Sequence, residues 1–339
     1  MEPTEVRMIG MMKPWWMQAA RGYLSGWKNG LQQRRGIRVL FYHGVVERKK
    51  DVRLERNFHL LFEFKEHLRF LRFFRVLSAD ELLDVWTNQK DHGKPAVVIT
   101  FDDGYANNLI AAELLDKYRI PWILFVSTGA MNREGKPLWA EELSLLLLHG
   151  RAQRVEALGK VWSLTTREER EIAFQEIRYP MKRLPAPQRR QVMEEIRQQF
   201  PEGETQRLLE QFPSLQMLTW EEVQQLASAG VEIGSHGVEH EIHHPNQLEV
   251  VRREELVFSK KEIERRLNRP CRYFAYPNGD FIESSPKEVQ EAGYLMAFTT
   301  QQRAVLPNDD PYLLPRIGAR GSLHNFVREF FWDSKKVSS

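Results

Sequence analysis

Short hydrophobic runs alternate along this chain with longer, charged segments, and this alternation predicts its elements. The apolar runs are rich in β-branched and aromatic residues, whereas most segments between them space their apolar residues as a helix does. The predicted strands lie near 37–42, 74–77, 96–101, 121–126, 231–235, 272–276, 294–298 and 312–317. Strands that alternate with helices pair in parallel. The pattern therefore favours an α/β barrel of seven or eight units.

Two predicted helices begin with a capping box, in which a hydroxyl and a carboxylate three residues apart bind the free N–H groups of the first turn. These pairs are Ser78 with Glu81 and Thr219 with Glu222. We also expect Asn246 to mark the start of a long charged helix.

Between about Met131 and Met217 the pattern changes to charged, helical sequence. We interpret this stretch as an insertion into the barrel. Because it leaves a strand at Ser127 and returns before the strand at 231–235, it should emerge where the strands end. Two interpretations stay open: the insertion walls a substrate groove, or it is a solvated elaboration without a substrate role.

The most distinctive apolar run ends in two adjacent carboxylates. Residues 97–101 are followed directly by Asp102, Asp103 and Gly104. Like charges at the end of a buried strand are unfavourable unless a cation or a proton lies between them, which indicates a metal or acid–base site. A solvated Asp-Gly turn is the alternative, because this dipeptide is common in turns.

A second strand end carries two histidines. The run at 231–235 leads into His236 and His240, four residues apart. Two neutral imidazoles and one carboxylate leave an open position for water, as in a catalytic divalent site, and zinc or a related ion suits such ligands. Alternatively, each histidine binds a backbone carbonyl independently.

Three blocks in this order resemble the polysaccharide deacetylases, carbohydrate esterase family 4 with its NodB homology domain. The blocks are Thr-Phe-Asp-Asp-Gly at 100–104, His-x-x-x-His at 236–240 and Phe-Ala-Tyr-Pro-Asn-Gly at 274–279. The resemblance spans roughly Arg38 to Arg316. It implies a distorted (β/α) barrel with a helical insertion and a metal-dependent deacetylase activity.

The resemblance also implies roles for individual residues. Asp102 would be the general base, while the metal ligands would be Asp103, His236 and His240. The backbone N–H of Asn278, after the motif proline, would stabilise the oxyanion. Three further residues of these blocks are candidates for substrate contact: Tyr105, Tyr276 and Pro277.

The family usually takes its general acid from a Leu-x-His block near the C-terminus, which this chain does not match well. Instead, Arg38 to His43 is a strand-like run that ends in Tyr-His. It is similar to the permuted branch of the family that includes poly-N-acetylglucosamine deacetylases. We therefore assign the general acid to His43, the alternative being a histidine that only closes its strand. His324 is the weaker candidate.

The chain departs from the family pattern in its third block. The family arginine that orients the base falls at Ala275, and the usual Trp-Asp block is replaced by residues 297–300. We predict that Arg316 supplies the missing cation, although an arginine after proline is ordinarily a surface residue. His243 and His244 are predicted to be solvated, because three protein ligands suffice for a catalytic site.

Residues 1–35 combine large apolar residues at helical spacing with lysines and arginines. Lys13 and Arg21 interrupt the segment too early for a spanning helix or a standard signal peptide. Either it lies in a membrane interface, or it packs on the barrel or on a second subunit. The interfacial alternative would bring lipid-linked sugars within reach as substrates.

Length and composition fit one elaborated barrel, which we place at 36–320 and follow with a C-terminal tail at 321–339. The net charge of +3 is too small to indicate nucleic acid binding. The single cysteine, Cys271, excludes an internal disulfide and is compatible with a reducing compartment. We expect a cytoplasmic protein, peripheral at the inner face of the membrane if residues 1–35 are interfacial.

These observations predict a metal-dependent hydrolase that removes an N-acetyl group from an amino sugar of a surface polysaccharide or its precursor. Two alternatives stay open. The enzyme removes another small acyl group, O-acetyl or N-formyl, because the centre recognises a carbonyl. Or the barrel binds glycans without turnover, having lost the family's arginine and tryptophan blocks.

Overall fold

The computed structural model describes residues 36–88, 96–131 and 137–331. The strands of these residues are β1 (Arg38–Tyr42), β2 (Gly44–Val46), β3 (Phe58–Leu60), β4 (Arg75–Val76), β5 (Ala96–Phe101), β6 (Ile123–Val126), β7 (Arg154–Ala157), β8 (Lys160–Ser163), β9 (Glu232–Ser235), β10 (Tyr273–Ala275), β11 (Met296–Phe298) and β12 (Ile317–Gly318). The α-helices are α1 (Leu61–Leu71), α2 (Ala79–Asn88), α3 (Asn108–Lys117), α4 (Thr128–Met131), α5 (Trp139–His149), α6 (Arg167–Met181), α7 (Ala186–Arg197), α8 (Glu204–Gln211), α9 (Trp220–Ser228), α10 (Glu249–Leu267), α11 (Ser285–Glu291) and α12 (Leu323–Phe330).

A curled sheet of eight parallel strands forms the centre of the described structure. Its order is β11–β10–β9–β6–β5–β1–β12, and β4 joins the start of β5. A parallel bridge between Phe298 and Leu314 links β11 to the segment that leads into β12, so the sheet curls back towards its other edge. The predicted distorted (β/α) barrel of seven or eight strands is confirmed.

The central strands are buried on both faces. Every residue of β5 and of β6 is buried, because helices cover one side of the curled sheet and side chains fill the other. A strand that is covered on both faces reads as a continuous apolar run rather than an alternating one. This property made the runs at 96–101 and 121–126 easy to find in the sequence.

Other elements differ from the prediction. The last predicted strand, at 312–317, is reduced to the two residues of β12. The short parallel pair β2–β3 and the antiparallel hairpin β7–β8 were not predicted. The hairpin turns through Leu158 and Gly159, both with positive φ, and most of its strand residues are exposed, so it lacks the continuous apolar signal of the barrel strands.

The two predicted capping boxes are present. The N–H of Glu81 donates to Ser78 Oγ at 3.2 Å, and that of Ser78 to Glu81 Oε2 at 2.9 Å. Thr219 begins α9 in the same way. Asn246, in contrast, does not cap a helix: α10 begins after Leu248, and the Asn246 amide donates to the carbonyl of Arg183 at 3.2 Å.

The described part of the insertion contains α5 to α8 and the hairpin β7–β8, and its apolar side chains belong to the same core as the barrel. Beyond the barrel, α12 begins the segment that we treated as a tail. It buries Phe326 and Phe330, and Arg38 Nε donates to the Phe330 carbonyl at 2.8 Å.

The N-terminal segment 1–35 lies outside the described residues. In the ranges that are described, none of the helices combines the length and the apolar character needed to cross a bilayer.

An aromatic cluster beside β1 contains two buried histidines. His67 stacks on Phe326 with 4.0 Å between ring centroids, and its Nε2 lies 3.1 Å from the Gly321 carbonyl oxygen. His59 lies edge-on to His67 at 5.6 Å. Burial lowers the pKa of His67 to about 3 and that of His59 to about 4.

Acidification should therefore destabilise the protein before most carboxylates titrate. Below about pH 6.5 the unfolded chain protonates both histidines while the folded protein does not, so the folded state loses stability as the pH falls towards about 4. We expect the melting temperature to decrease over this interval, and the decrease to be shallower in His67→Gln. Circular dichroism melts across the pH range measure both slopes; equal slopes would show that His67 does not contribute.

Candidate active site

The carboxyl ends of β1, β5, β9 and β10 meet at one face of the barrel, where a cavity of about 360 Å³ opens. Parallel strands place the residues that follow them at the same edge, which is where β/α barrels carry their functional groups. The cavity lining brings together residues from three sequence blocks and from the end of β1: His43, Asp102, Asp103, His236, His240 and Asn278.

The first carboxylate is held by an arginine from the far end of the sequence. Arg316 Nη1 and Nη2 donate to Asp102 Oδ1 and Oδ2, both at 2.7 Å. The guanidinium also donates to Thr100 Oγ1 at 3.1 Å and, through Nε, to the Thr299 carbonyl at 3.0 Å. Arg316 is completely buried, so these bonds fix both its position and that of the carboxylate.

The ion pair determines the charge of Asp102. Burial raises the pKa of Asp102, but the charge of Arg316, with smaller contributions from His236 and His43, outweighs burial and keeps the pKa below its ordinary value. Asp102 is therefore an ionised carboxylate whose two oxygens have fixed directions.

The second carboxylate faces two imidazoles. Asp103 Oδ1 lies 3.3 Å from His236 Nε2 and 3.4 Å from His240 Nε2, and the ligand atoms of the three residues lie within 4.8 Å of one another. Among the described residues, Oδ1 is buried without a hydrogen-bond partner. His236 Nδ1 lies 2.7 Å from the Ala275 carbonyl, to which it donates, and this leaves Nε2 with its lone pair. An orphan carboxylate oxygen beside an imidazole oriented in this way fits a divalent metal.

The loop that carries His240 is held by a buried glutamate from α10. Glu255 Oε2 accepts hydrogen bonds from the backbone N–H groups of Val238, Glu239 and Glu241, at 2.8, 3.0 and 3.4 Å. These bonds shape the loop between the two histidines, so Glu255 positions His240 without touching it. No local sequence signal marks this residue, because α10 contains many glutamates.

The same loop is tied to the insertion. Glu241 forms a buried ion pair with Arg189 of α7, and its Oε2 accepts a hydrogen bond from Gln247 Nε2 at 3.0 Å. The Gln247 side-chain oxygen in turn accepts the N–H of Ala186 at the start of α7 at 3.1 Å. The residue next to His240 therefore depends on contacts with the insertion.

His43 lies on the other side of the Asp103 carboxylate. Its Nε2 is 4.0 Å from Asp103 Oδ2, whereas His236 and His240 face Oδ1. The side chain is partly exposed to the cavity, and its ring packs edge-on against Phe41 with 5.8 Å between centroids. An imidazole that is open to the cavity and outside the three-residue cluster has the placement that proton transfer requires.

The third block contributes Asn278 and Gly279 to the cavity. The Asn278 side-chain oxygen accepts a hydrogen bond from Lys182 Nζ at 2.8 Å, and its amide donates to Asp280 Oδ2 at 3.0 Å. Gly279 has φ +77°, and a Cβ there would lie 2.0 Å from Thr300 Oγ1. The turn after Pro277 therefore requires glycine at this position.

Comparison with known proteins agrees with the geometry. A sequence model described as polysaccharide deacetylase matches residues 89–297, which is more than half of the chain. The chain belongs to the polysaccharide deacetylase family. The resemblance noted from the motifs is thus confirmed, and membership supports deacetylation of a polysaccharide as the reaction. No curated protein sequence matches the chain.

Solved structures of polysaccharide deacetylases share the fold at low identity. The deacetylase PplD from Streptococcus pyogenes, in complex with acetate, is 17% identical, with a TM-score of 0.56 over 87% of this chain and 98% of that one. IcaB from Ammonifex degensii is 18% identical, with a TM-score of 0.55 over 88% and 97%. A de-N-acetylase from Aggregatibacter actinomycetemcomitans is 15% identical, with a TM-score of 0.54 over 87% and 99%.

Left-handed backbone occurs at three non-glycine residues of the cavity. Asp103, His240 and Asn278 have φ of 74°, 57° and 61°. Such conformations are unfavourable for residues with a side chain and concentrate at functional sites, where the surrounding structure imposes them. Each of the three blocks supplies one of these residues.

The candidates for substrate contact have different environments. Tyr105 lines the cavity and donates its hydroxyl to Glu141 Oε1 at 2.8 Å. Tyr276 is fully buried, and its hydroxyl donates to the Tyr312 carbonyl at 3.1 Å. Pro277 is also buried. Neither of the last two side chains is part of the cavity lining, so the structure brings only Tyr105 to the place where a substrate would bind.

The prediction that His243 and His244 are solvated was wrong. Both are buried, each with 1% of its surface exposed. Their loop lies between the insertion and α11, where His243 Nδ1 is 3.2 Å from Ser285 Oγ. His324, the weaker acid candidate, is an exposed residue of α12 and does not line the cavity.

The insertion forms one wall of the cavity, which favours the first of its two interpretations. Residues of α5 and the end of α6 contribute to this wall: Trp139, Glu141, Ser144, Arg178 and Lys182. No local signal marks these residues in the sequence, because their positions follow from how the insertion packs and their local sequence resembles any charged helix.

Proposed function

We propose that this chain hydrolyses the N-acetyl group of an amino sugar in a polysaccharide or glycan precursor. The observation that carries the proposal is the pairing of two differently held carboxylates in one cavity. Asp102 is fixed and ionised by Arg316, whereas Asp103 faces two imidazoles with an oxygen that has no hydrogen bond. These two environments suit a general base, Asp102, beside a metal ligand, Asp103.

Asp103, His236 and His240 would hold the divalent ion, and zinc suits two imidazoles and a carboxylate best. When bound, such an ion lowers the pKa of a water molecule and polarises the acyl carbonyl. His236 is ready for this role because its Nδ1–H is already engaged by the Ala275 carbonyl.

The other residues would act on protons and on the developing charge. Asp102 accepts the proton of the attacking water as the new C–O bond forms, and Arg316 keeps its carboxylate in place. The backbone N–H of Asn278 stabilises the tetrahedral oxyanion. His43 donates a proton to the sugar nitrogen as the C–N bond breaks, so that acetate and a free amine leave.

The non-catalytic alternative rested on the loss of the family arginine, which falls at Ala275, and of the family tryptophan block. Arg316 occupies the corresponding electrostatic role, since it binds both oxygens of Asp102. The absence of the family arginine therefore gives no reason to expect loss of turnover. Contact with lipid-linked sugars, a cytoplasmic location and membrane contact through residues 1–35 stay predictions.

The test is acetate release by the zinc-loaded protein from N-acetylated oligosaccharides, with O-acetylated and N-formylated sugars and a lipid-linked N-acetyl sugar in parallel. We expect release from the N-acetylated substrates, loss of activity after chelation and recovery when zinc is returned. Metal analysis of the same samples gives the occupancy. Release of another acyl group alone would reassign the substrate, and no release at full occupancy would refute the proposal.

A further inference from the structure

The wall that the insertion supplies to the cavity is cationic. Arg178 and Lys182 lie one helical turn apart at the end of α6, and both line the cavity. Arg56, from the segment between β2 and β3, lines it as well. Three positive side chains therefore face a space that is built to receive a sugar.

Arg178 differs from the other buried arginines of the described residues. Arg189 pairs with Glu241, Arg252 with Glu288 and Arg316 with Asp102; that is, each of these three has a buried carboxylate partner. Arg178 is only 7% exposed, and within the described residues it has no carboxylate partner.

Within the described residues, the surroundings of Arg178 are aromatic. Its guanidinium lies 5.2 Å from the ring centroids of both Phe174 and Tyr179, and its Nε is buried without an acceptor. Burial of a charge without a partner is strongly unfavourable. An anion that enters the cavity would supply the missing acceptor.

Within the described residues, no carboxylate that lines the cavity forms an ion pair with Arg178, Lys182 or Arg56. Asp102 is bound to Arg316, Asp103 faces its two histidines, and Glu141 accepts the hydroxyl of Tyr105. The cations that remain are therefore available to a ligand.

The cationic wall is close to the reacting groups. Lys182 Nζ donates to the side-chain oxygen of Asn278, the residue whose N–H we assign to the oxyanion. A negative group bound by this wall would therefore belong to the sugar that is deacetylated or to its neighbour.

We propose that the substrate carries an oxyanion, a carboxylate or a phosphate, that is bound by Arg178 together with Lys182 and Arg56. This inference rests on the proposed function, since it names the substrate class of the same site. A planar guanidinium binds both oxyanions in a bidentate manner. The carboxylate would come from a uronic acid next to the amino sugar, and the phosphate from a linkage at the sugar's anomeric carbon.

Binding to the zinc-loaded, full-length Asp102→Asn protein tests the inference without turnover. Isothermal titration compares a neutral N-acetylglucosamine oligosaccharide with one of the same length that alternates with glucuronic acid. A second pair compares N-acetylglucosamine with its 1-phosphate. We expect at least one anionic ligand to bind about 10- to 100-fold more tightly than its neutral partner, with a preference that weakens in salt. The pair that shows the preference identifies the source of the oxyanion.

Variants of α6 connect this preference to Arg178. In the Asp102→Asn background, Arg178→Gln should abolish most of the ratio between anionic and neutral affinity, and Arg178→Lys should retain part of it. Arg167→Gln removes the same charge from an exposed position of the same helix and should leave the ratio unchanged. Without ligand, Arg178→Gln should melt at the same or a higher temperature, because it removes an unpaired buried charge.

Equal affinities for both members of each pair, or a preference that survives Arg178→Gln, would overturn the inference. The proposed function fails separately. Acetate release from neutral substrates without any anionic preference would leave the function standing and remove this inference. An Arg178-dependent preference without acetate release from any substrate would support this inference and refute the proposed function.

Discussion

Asp102→Asn should lower kcat for acetate release by about 10²- to 10⁴-fold, the usual contribution of a positioned general base. Asparagine keeps the shape of the side chain but cannot accept the proton of the attacking water. The metal ligands are unchanged, so zinc occupancy should equal that of the wild type. Initial rates of acetate release and metal analysis on the same preparation check both statements.

The control for this variant is Asp103→Asn, which changes the neighbouring carboxylate. It should lose zinc as well as activity, because Asp103 supplies the oxygen of the cluster. The pair of variants therefore separates the base from the ligand. If Asp102→Asn retained activity within a few-fold of the wild type, another group would be the base.

Arg316→Met should cost about 3–5 kcal/mol of folding stability, because it leaves the buried carboxylate of Asp102 without its partner. Activity should fall even at temperatures where the variant is folded, since nothing then holds the two oxygens of the base. Denaturant unfolding at neutral pH measures the first effect, and kcat at low temperature measures the second.

Two further variants make this result specific. Arg252→Met breaks a comparable buried ion pair with Glu288, away from the cavity, and should lose stability without a matching loss in kcat. The double variant Asp102→Asn/Arg316→Met should recover part of the stability lost in Arg316→Met, because the unpaired charge is gone. Additive losses would mean that the pair does not act as a unit.

The sequence was sufficient to predict those site residues whose signal lies within a few neighbouring positions of the chain. Asp102 and Asp103 follow a run that is buried on both faces, and His236 and His240 follow another, so strand ends and candidate ligands could be read together. Parallel pairing then determined that these ends share one face of the barrel. Arg316 was within reach for a different reason: the third block lacked a cation where the family has one, and Arg316 lay near the end of the last predicted strand.

The residues that sequence analysis missed depend on how the insertion packs. His243 and His244 lie in a polar stretch that reads as a solvated loop, and only the elements packed on both sides of it make them buried. Arg178 and Glu255 lie in helices that contain many charged residues. No local sequence signal distinguishes the ionisable residue that becomes buried from those that stay exposed. Contacts with residues that are distant in the sequence decide which charged side chain of such a helix is buried.

The contacts of Glu241 mean that the insertion cannot be exchanged as a separate module. Glu241 follows His240 directly and is paired with Arg189 of the insertion. A chimera with another family member's insertion would bury that carboxylate without its partner, next to His240, which we propose as a metal ligand. Substitutions that adapt the insertion to a new glycan would therefore be retained only if they preserve metal affinity. We expect the insertion and the barrel loop that carries Glu241 to diverge by linked substitutions.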